Sequence, residues 1–495
     1  MVVVGGGING CGIARDLAGR GAKVVLCEKD DLASHTSSSS TKLIHGGLRY
    51  LEYYEFSLVR KALAEREVLL KSAPHIMRPL RFVMPHDPGM RPVWMIRAGL
   101  FLYDHLARRE VLPGSRTVNL HGHPAGAPLK REFTKGFIYS DGWVDDARLV
   151  VLNAIDAAER GAHVVTRCRC IHAERSADRW LATLQDDSGA ARRVRSRVLV
   201  NAAGPWASQF LRDHVPAAAP KPLRLVKGSH IVVRRLFEHD HGYIFQTSDG
   251  RVVFALPFVR DFTLIGTTDQ NFVGDPGSVK PSADEIAYLC AAANGYFREQ
   301  IRPADVVWSF AGVRSLYDDG SEKAEDTTRD YVLDLDRRNG EAPLLNIYGG
   351  KITTYRRLAE HALDLLADGL STGPAWTKDS HLPGGEFPHN GLEALIAKTR
   401  RSRPFLSEEH ARRLVRAYGT RVERVLGPAR RLEDLGPCLG ADLTAAEVRY
   451  LMEHEWARTE DDVLWRRSKL GLCFSAEQRE RLARFMADRT GSSAD

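Results

Sequence analysis

The sequence predicts an α/β fold in which a dinucleotide-binding unit is joined to a β-sheet substrate domain and a helical C-terminal domain. Three observations carry that expectation: a strand, glycine turn and helix that open the chain, further strand-to-glycine segments far along it, and helix-period patterning late in the sequence. At 495 residues the chain exceeds one simple core, so two or three units are expected. Residues 1–385 are read as nucleotide-binding and substrate-binding domains interleaved along the chain, with the substrate sheet mainly at 222–335. Residues 390–495 are read as the helical C-terminal domain.

The opening segment Met1-Val2-Val3-Val4 has the pattern of a short buried strand, and Gly5-Gly6-Gly7-Ile8-Asn9-Gly10 leads into a helix that runs to about Arg20. Gly5 permits the tight turn, Gly7 lets backbone approach a pyrophosphate, and Gly10 lets the helix pack against the strand. The helix N-terminus then turns its amides toward phosphate. A second strand at Lys23-Val24-Val25-Leu26-Cys27 ends in Glu28, whose carboxylate suits ribose hydroxyls. Because Met1 falls almost on the first strand, that strand is either short or cut at its start.

This unit alone serves NAD and FAD equally. Two later segments, Val198-Leu199-Val200-Asn201-Ala202-Ala203-Gly204-Pro205-Trp206 and Leu344-Leu345-Asn346-Ile347-Tyr348-Gly349-Gly350-Lys351, repeat the logic of a buried strand breaking at small residues. Either is an ordinary strand end when taken singly. Together with the opening unit they resemble the glutathione-reductase-type FAD-binding fold, in which separated segments return to one extended flavin.

A longer stretch, Thr36-Ser37-Ser38-Ser39-Ser40-Thr41-Lys42-Leu43-Ile44-His45-Gly46-Gly47-Leu48-Arg49-Tyr50-Leu51, resembles the signature of the FAD-dependent glycerol-3-phosphate dehydrogenase family. It is joined by Tyr139 to Arg148, Lys227-Gly228-Ser229-His230, Ile265 to Asp269, Ala311-Gly312-Val313-Arg314 and Thr328-Arg329-Asp330-Tyr331. The bacterial aerobic, respiratory members look most similar. What the resemblance implies is oxidation of sn-glycerol 3-phosphate to dihydroxyacetone phosphate by hydride transfer from C2 to FAD, with electrons then passed to a membrane quinone. The alternative it leaves open is an oxygen-dependent oxidase that makes hydrogen peroxide.

That chemistry needs C2 beside the flavin, a base for the hydroxyl proton and cations for a doubly charged phosphate. Arg49, Arg314, Arg329 and Lys351 lie in the family-like segments and suit the phosphate, Arg314 and Arg329 above all, with Tyr50 as a further hydroxyl donor. Arg314 also suits polarisation of the C2 oxygen. His230 is preferred as the base and His45 is the alternative, both having the right ordinary pKa. Ser37, Ser38, Ser39 and Ser40 are expected on the flavin, with Gly5, Gly7, Gly10, Glu28, Ala203, Gly204, Gly349, Gly350 and Lys351 completing the cofactor set. No metal is expected.

The balance of 70 Lys and Arg against 63 Asp and Glu, net +7, is mild and admits acidic membrane surfaces, nucleic acid or anionic substrates. Without an arginine-rich block or zinc spacing, nucleic-acid binding is disfavoured, and a tRNA-modifying flavoprotein is the competing class. Seven cysteines without paired spacing fit a reducing cytoplasm, and Cys168 and Cys170 read as ordinary thiols on a strand. No apolar run approaches the roughly 20 residues that span a bilayer. The expectation is a peripheral protein on the cytoplasmic face of the inner membrane, with a homodimer admissible. The mixed stretch from Arg91 to Arg109 fits either a membrane interface or a helix packed on the core.

Overall fold

The computed structural model describes residues 1–87, 89, 91–176, 178–216, 218–318, 330–337, 340–367 and 372–491. Its first sheet has six strands, in spatial order Val332–Asp336, Leu344–Tyr348, Leu199–Asn201, Val2–Val4, Val25–Cys27 and His163–Val165. All neighbours are parallel except the first pair. Val3 sits opposite Leu26 on one side and Val200 on the other, so the opening triplet is central and buried on both faces. Continuous apolar runs are what a strand in that position requires.

One face of this sheet is covered by helix α1 (Ile8–Gly19), by a helix at Asp146–Glu159 and by another at Tyr355–Leu366, which share a core of Val3, Leu26, Val200, Ile13, Leu17, Val150 and Leu358. The other face packs on a three-stranded antiparallel sheet, Cys168–Ser176, Arg179–Asp186 and Ala191–Ser196, through Trp180 and Phe210. Apolar residues on both faces explain why the glycine turn at the strand end is held so firmly in place.

The second sheet has ten strands and roofs the first. Its long pair, Leu223–Arg234 with Val306–Tyr317, runs antiparallel, followed by Phe262–Gly266, Val252–Phe258, Gly242–Gln246, Met77–Pro85, Lys135–Val144 and Leu43–Ile44. The sheet therefore reaches well outside residues 222–335. Pro79 and Pro85 hide the strand Met77–Pro85 in the sequence, since proline argues against a central strand. Helices α2 (Phe56–Ser72) and α3 (Val93–His105) flank this end of the sheet, and the helix Asp146–Glu159 is hereafter α4.

From Leu392 the chain is mostly helical, and helices at Leu392–Ser402, Glu408–Tyr418, Ala445–His454 and Ala476–Gly491 enclose their own core of Leu414, Val415, Leu451, Val463 and Leu482. Ser407 caps the second of these by accepting from the His410 amide at 3.2 Å. Buried ion pairs fasten this core to the nucleotide unit. Arg148 of α4 meets Glu455, Arg167 meets Asp462 at 2.8 Å, and the carboxylate of Asp31 receives Arg467 through two bonds of 2.6 and 2.8 Å. Among the described residues no helix is long and apolar enough to cross a membrane.

Asp31 and Arg467 are 2% and 1% exposed, so removing one leaves the other charged and dry. Asp31→Ala is expected to cost about 3–5 kcal/mol of stability, read as a lower midpoint of chemical denaturation. An unchanged midpoint would mean that the pair contributes nothing net.

Candidate functional site

The site begins where the central strand stops. Gly5 has φ of +111°, and a side chain there would meet the carbonyl of Ala202, while one on Gly10 would meet the carbonyl of Gly5. The turn thus packs directly on the Ala202-Ala203 turn that ends the strand Leu199–Asn201. Asn201 joins the next strand end through Asn346 Oδ1 at 3.1 Å, and Asn9 donates to the Gly349 carbonyl at 3.1 Å. Three segments separated by hundreds of residues therefore converge on the N-terminus of α1.

From this point extends a cavity of about 750 Å³, lined at one end by Glu28, Cys168, Cys170, Trp206, Phe210 and His214 and at the other by His45, Tyr50, His230, Arg314 and Lys351. Gly5, Gly7, Ala203, Gly204 and Gly350 line its middle with backbone. Glu28 lies at the end of its strand as expected, its carboxylate accepting from the amides of Gly6 at 2.6 Å and Asp30 at 2.8 Å. Burial pushes its pKa up against the pull of those bonds. Ser37 Oγ accepts from the Ile8 amide at 3.0 Å and so occupies the first turn of α1. An acid at one end, an uncluttered glycine cradle at a helix N-terminus and polar residues beyond fit an extended dinucleotide.

Ser39 and Ser40 also line the cavity. Ser38 turns away, its hydroxyl donating to the His35 carbonyl at 3.1 Å. Gly10 and Gly349 stand behind the lining as packing residues. The serine loop is held from below by a fully buried ion pair, Lys42 with Asp146 at 2.7 Å, the Asp146 carboxylate also accepting from Ser40 Oγ at 2.7 Å. From above, Thr36 Oγ1 donates to the Val313 carbonyl at 2.7 Å, and Gly312 lets Ser39 lie against the sheet.

Strand register explains how two distant motifs meet. In the antiparallel pair, Gly228 is opposite Gly312, His230 opposite Phe310, and Val226 opposite Arg314. The His230 ring stacks on Phe310, with centroids 4.8 Å apart, and its Nε2 lies 3.0 Å from Thr41 Oγ1. His230 is only 2% exposed, and burial, then Lys42 and Arg314, hold its pKa down to about 3. Arg314 donates to the Thr268 carbonyl at 3.3 Å and to Asp269 at 3.2 Å.

His45 follows the short strand Leu43–Ile44 and is less deeply buried than His230. Burial lowers its pKa to about 4; Asp141 pulls it up, while Lys351 and Arg66 push it further down. Lys351 Nζ lies 3.7 Å from the centroid of the Tyr50 ring, which brings both to the same end of the cavity. Arg49, on the 3-10 segment Leu48–Tyr53, is outside the lining and approaches the Tyr53 hydroxyl at 3.5 Å. Arg329 lies outside the described residues. Sequence reasoning assigned no role to Lys42, Asp146, Thr41, Thr267 or Trp206. All five stand inside the quoted segments, but nothing in a sequence says which of its polar and aromatic residues turns inward.

Comparison with known proteins agrees with this geometry. Residues 1–356 match the FAD dependent oxidoreductase family, and residues 375–495 match the C-terminal domain of alpha-glycerophosphate oxidase. A glycerol-3-phosphate dehydrogenase of Pseudomonas aeruginosa is 55% identical, the match covering 98% of this chain and 94% of that protein. A D-erythritol 1-phosphate dehydrogenase of Brucella abortus is 50% identical over 95% of this chain and 94% of that protein. The solved structure of a glycerol-3-phosphate dehydrogenase from Bacillus halodurans complexed with FAD superposes with a TM-score of 0.77 at 28% identity, covering 99% of this chain and 90% of that one.

Gly10→Ala would force a methyl group onto backbone that has no flexible end to yield. Overpacking of that kind costs about 1–3 kcal/mol, here levied on the cradle itself. Purified G10A is expected to carry less dinucleotide per chain than wild type, measured by absorbance after denaturing release. Full occupancy would show that the turn can shift.

Proposed function

Since the chain belongs to the FAD-dependent oxidoreductase family, among the glycerol-3-phosphate dehydrogenases, we propose that it oxidises sn-glycerol 3-phosphate to dihydroxyacetone phosphate and passes the electrons to a membrane quinone. The observation that carries this is that His45, Tyr50, Arg314 and Lys351 line the same cavity as the glycine cradle and Glu28. The hydride acceptor for C2 is supplied by FAD when bound. Arg314 and Lys351 hold the phosphate dianion, Arg314 while one of its terminal nitrogens stays on Thr268 and Asp269. Tyr50 packs against Lys351 and limits where that ammonium can reach.

For the base we propose His45 in place of His230. A base gains a positive charge as it acts, and Asp141 favours that charge on His45. The charges that act most strongly on His230, Lys42 and Arg314, oppose it and outweigh the pull of Asp146, and its Nε2 already faces Thr41. His230 then serves as a wall, stacked on Phe310. The 50% identity to a D-erythritol 1-phosphate dehydrogenase favours a second reading, a four-carbon polyol phosphate on the same cations.

We further propose that the protein docks peripherally on the cytoplasmic face of an anionic membrane through α3 and its neighbours. Trp94, Phe101 and Tyr54 are 69, 60 and 80% exposed, with Met95, Leu102, Tyr53 and Phe56 beside them in the sequence. Arg60, Arg108 and Arg109 line a shallow pocket where α2 meets the end of α3. Aromatic side chains bordered by arginine suit the headgroup region.

Anaerobic sn-glycerol 3-phosphate should bleach the flavin absorbance, with D-erythritol 1-phosphate run in parallel. No bleaching by the former defeats the proposal, and faster bleaching by the latter selects the second reading. A quinone analogue should then reoxidise the flavin, whereas predominant peroxide formation would make the protein an oxidase. Arg314→Ala should lower kcat/KM by about 10- to 100-fold through loss of a charged hydrogen bond. Neutral His45 is the active base, and burial holds its pKa down to about 4 in the protein without substrate, so kcat/KM should carry an acid limb well below the ordinary histidine range beside the one set by the phosphate's own ionisation at about 6. A profile with no limb below that of the phosphate would contradict the assignment. The pair Trp94→Ala, Phe101→Ala should sediment less with phosphatidylglycerol vesicles than wild type, at unchanged turnover of a soluble acceptor.

A further inference from the structure

The backbone that carries His45 is pinned on both sides. Its own amide donates to Thr353 Oγ1 at 3.2 Å, and the following amide, of Gly46, donates to the Tyr103 hydroxyl at 2.8 Å and, more weakly, to Asp141 Oδ1 at 3.4 Å. Tyr103 projects from α3 and is 2% exposed. Its hydroxyl in turn donates to the carboxylate of Asp141, lying 2.8 and 3.0 Å from the two oxygens. Asp141 stands on the strand Lys135–Val144, is 3% exposed, and also takes Arg66 Nη1 at 2.6 Å. Arg66 of α2 donates as well to the Ser140 carbonyl at 2.9 Å. Every member of this chain of bonds is buried, and it ends on the peptide next to the proposed base.

We propose that Tyr103 and Asp141 are positioning residues for His45, Tyr103 by fixing the Gly46 amide and Asp141 by orienting the phenol and facing the imidazole with its negative charge. This inference rests on the reading of His45 as base. A buried amide is costly to leave without a good acceptor, and the phenol at 2.8 Å is the nearer of the two that the fold provides, Asp141 Oδ1 lying at 3.4 Å. Burial and Asp141 raise the Tyr103 pKa well above the phenol range, so it stays a proton donor to Asp141 throughout the working pH range. The charged groups facing His45 are Asp141 from its strand, Lys351 from the segment ahead of Tyr355, and Arg66 from α2. Asp141 is the one acid among them. A misplaced base loses rate rather than affinity, because it touches the reacting hydroxyl and not the phosphate.

Two conservative variants separate the roles. Tyr103→Phe keeps the ring and removes the nearer acceptor of the Gly46 amide, leaving only the longer contact to Asp141. Its limiting rate of flavin reduction by sn-glycerol 3-phosphate, per bound flavin, should fall about 10- to 100-fold. The apparent substrate Kd should stay within about threefold of wild type, a split between rate and binding that a general loss of structure would not give. Asp141→Asn keeps a hydrogen-bond acceptor and removes the charge, so the lower acid limb of kcat/KM should move to lower pH. A wild-type rate in Y103F, or equal losses in rate and affinity, overturns the positioning role. An acid limb unmoved in a folded, flavin-loaded D141N overturns the charge role. If D141N does not fold, Y103F alone decides. His45→Asn serves as the control for the underlying reading: an undiminished reduction rate there removes the base assignment itself, whereas a large loss in H45N beside a normal Y103F defeats only the present inference.

Discussion

The placement of three residues, Val2 to Val4, constrains the rest of the molecule. A parallel strand hydrogen-bonded on both sides has no freedom to slide, because a slip of one residue would turn Val3 toward the wrong face. With the strand fixed, Gly5 must turn where it does, α1 must start at Ile8, and its first amides must point into the cavity. The contacts from Gly10 to the Gly5 carbonyl and from Gly5 to the Ala202 carbonyl leave no slack in that turn. A cofactor held mainly by backbone demands such rigidity, since backbone cannot adapt by changing rotamer.

Much of this was legible in the sequence for a physical reason. Continuous valine runs, glycine spacing and a terminal glutamate all report local geometry, and local geometry survives in a linear string. The strand ends at Asn201 and Tyr348 were legible for the same reason, as buried runs breaking at small residues. What was not legible is register across the roof. Gly228 opposite Gly312 brings the histidine and arginine motifs together, yet 83 residues of sequence lie between those glycines and nothing in them encodes which residue faces which. The strand Met77–Pro85 was masked by its two prolines. Asp141 stood in a quoted motif without a role, because its partners Tyr103 and Arg66 come from two helices that the sequence leaves unplaced.

Burial does most of the electrostatic work in the site. Desolvation is the first cause of the low pKa of both His45 and His230, and nearby charges only adjust it. Both imidazoles are therefore neutral well below pH 6, and what separates them is the sign of the charge that acts on each most strongly, Asp141 on His45 and Lys42 on His230. The same water exclusion strengthens the Lys42–Asp146 pair that supports the serine loop, where both side chains are fully buried. The C-terminal core adds to this enclosure: Arg466 and Arg467 close on Asp31, three residues beyond Glu28, so a domain outside the cavity stiffens the segment that forms its far end.

The interleaving of the chain also sets an order of events during synthesis. Val2–Val4 and Val25–Cys27 leave the ribosome early, but the neighbours that complete their sheet are residues 199–201 and 344–348. At about 5–20 residues per second, the ribosome needs on the order of 10–35 seconds to reach residues 199–201 and a similar time again to reach 344–348. Until residues 199–201 emerge, one edge of the valine strand Val2–Val4 has no partner, which is the kind of surface that recruits other chains. The nucleotide cradle is thus started long before the segments that finish it have been made.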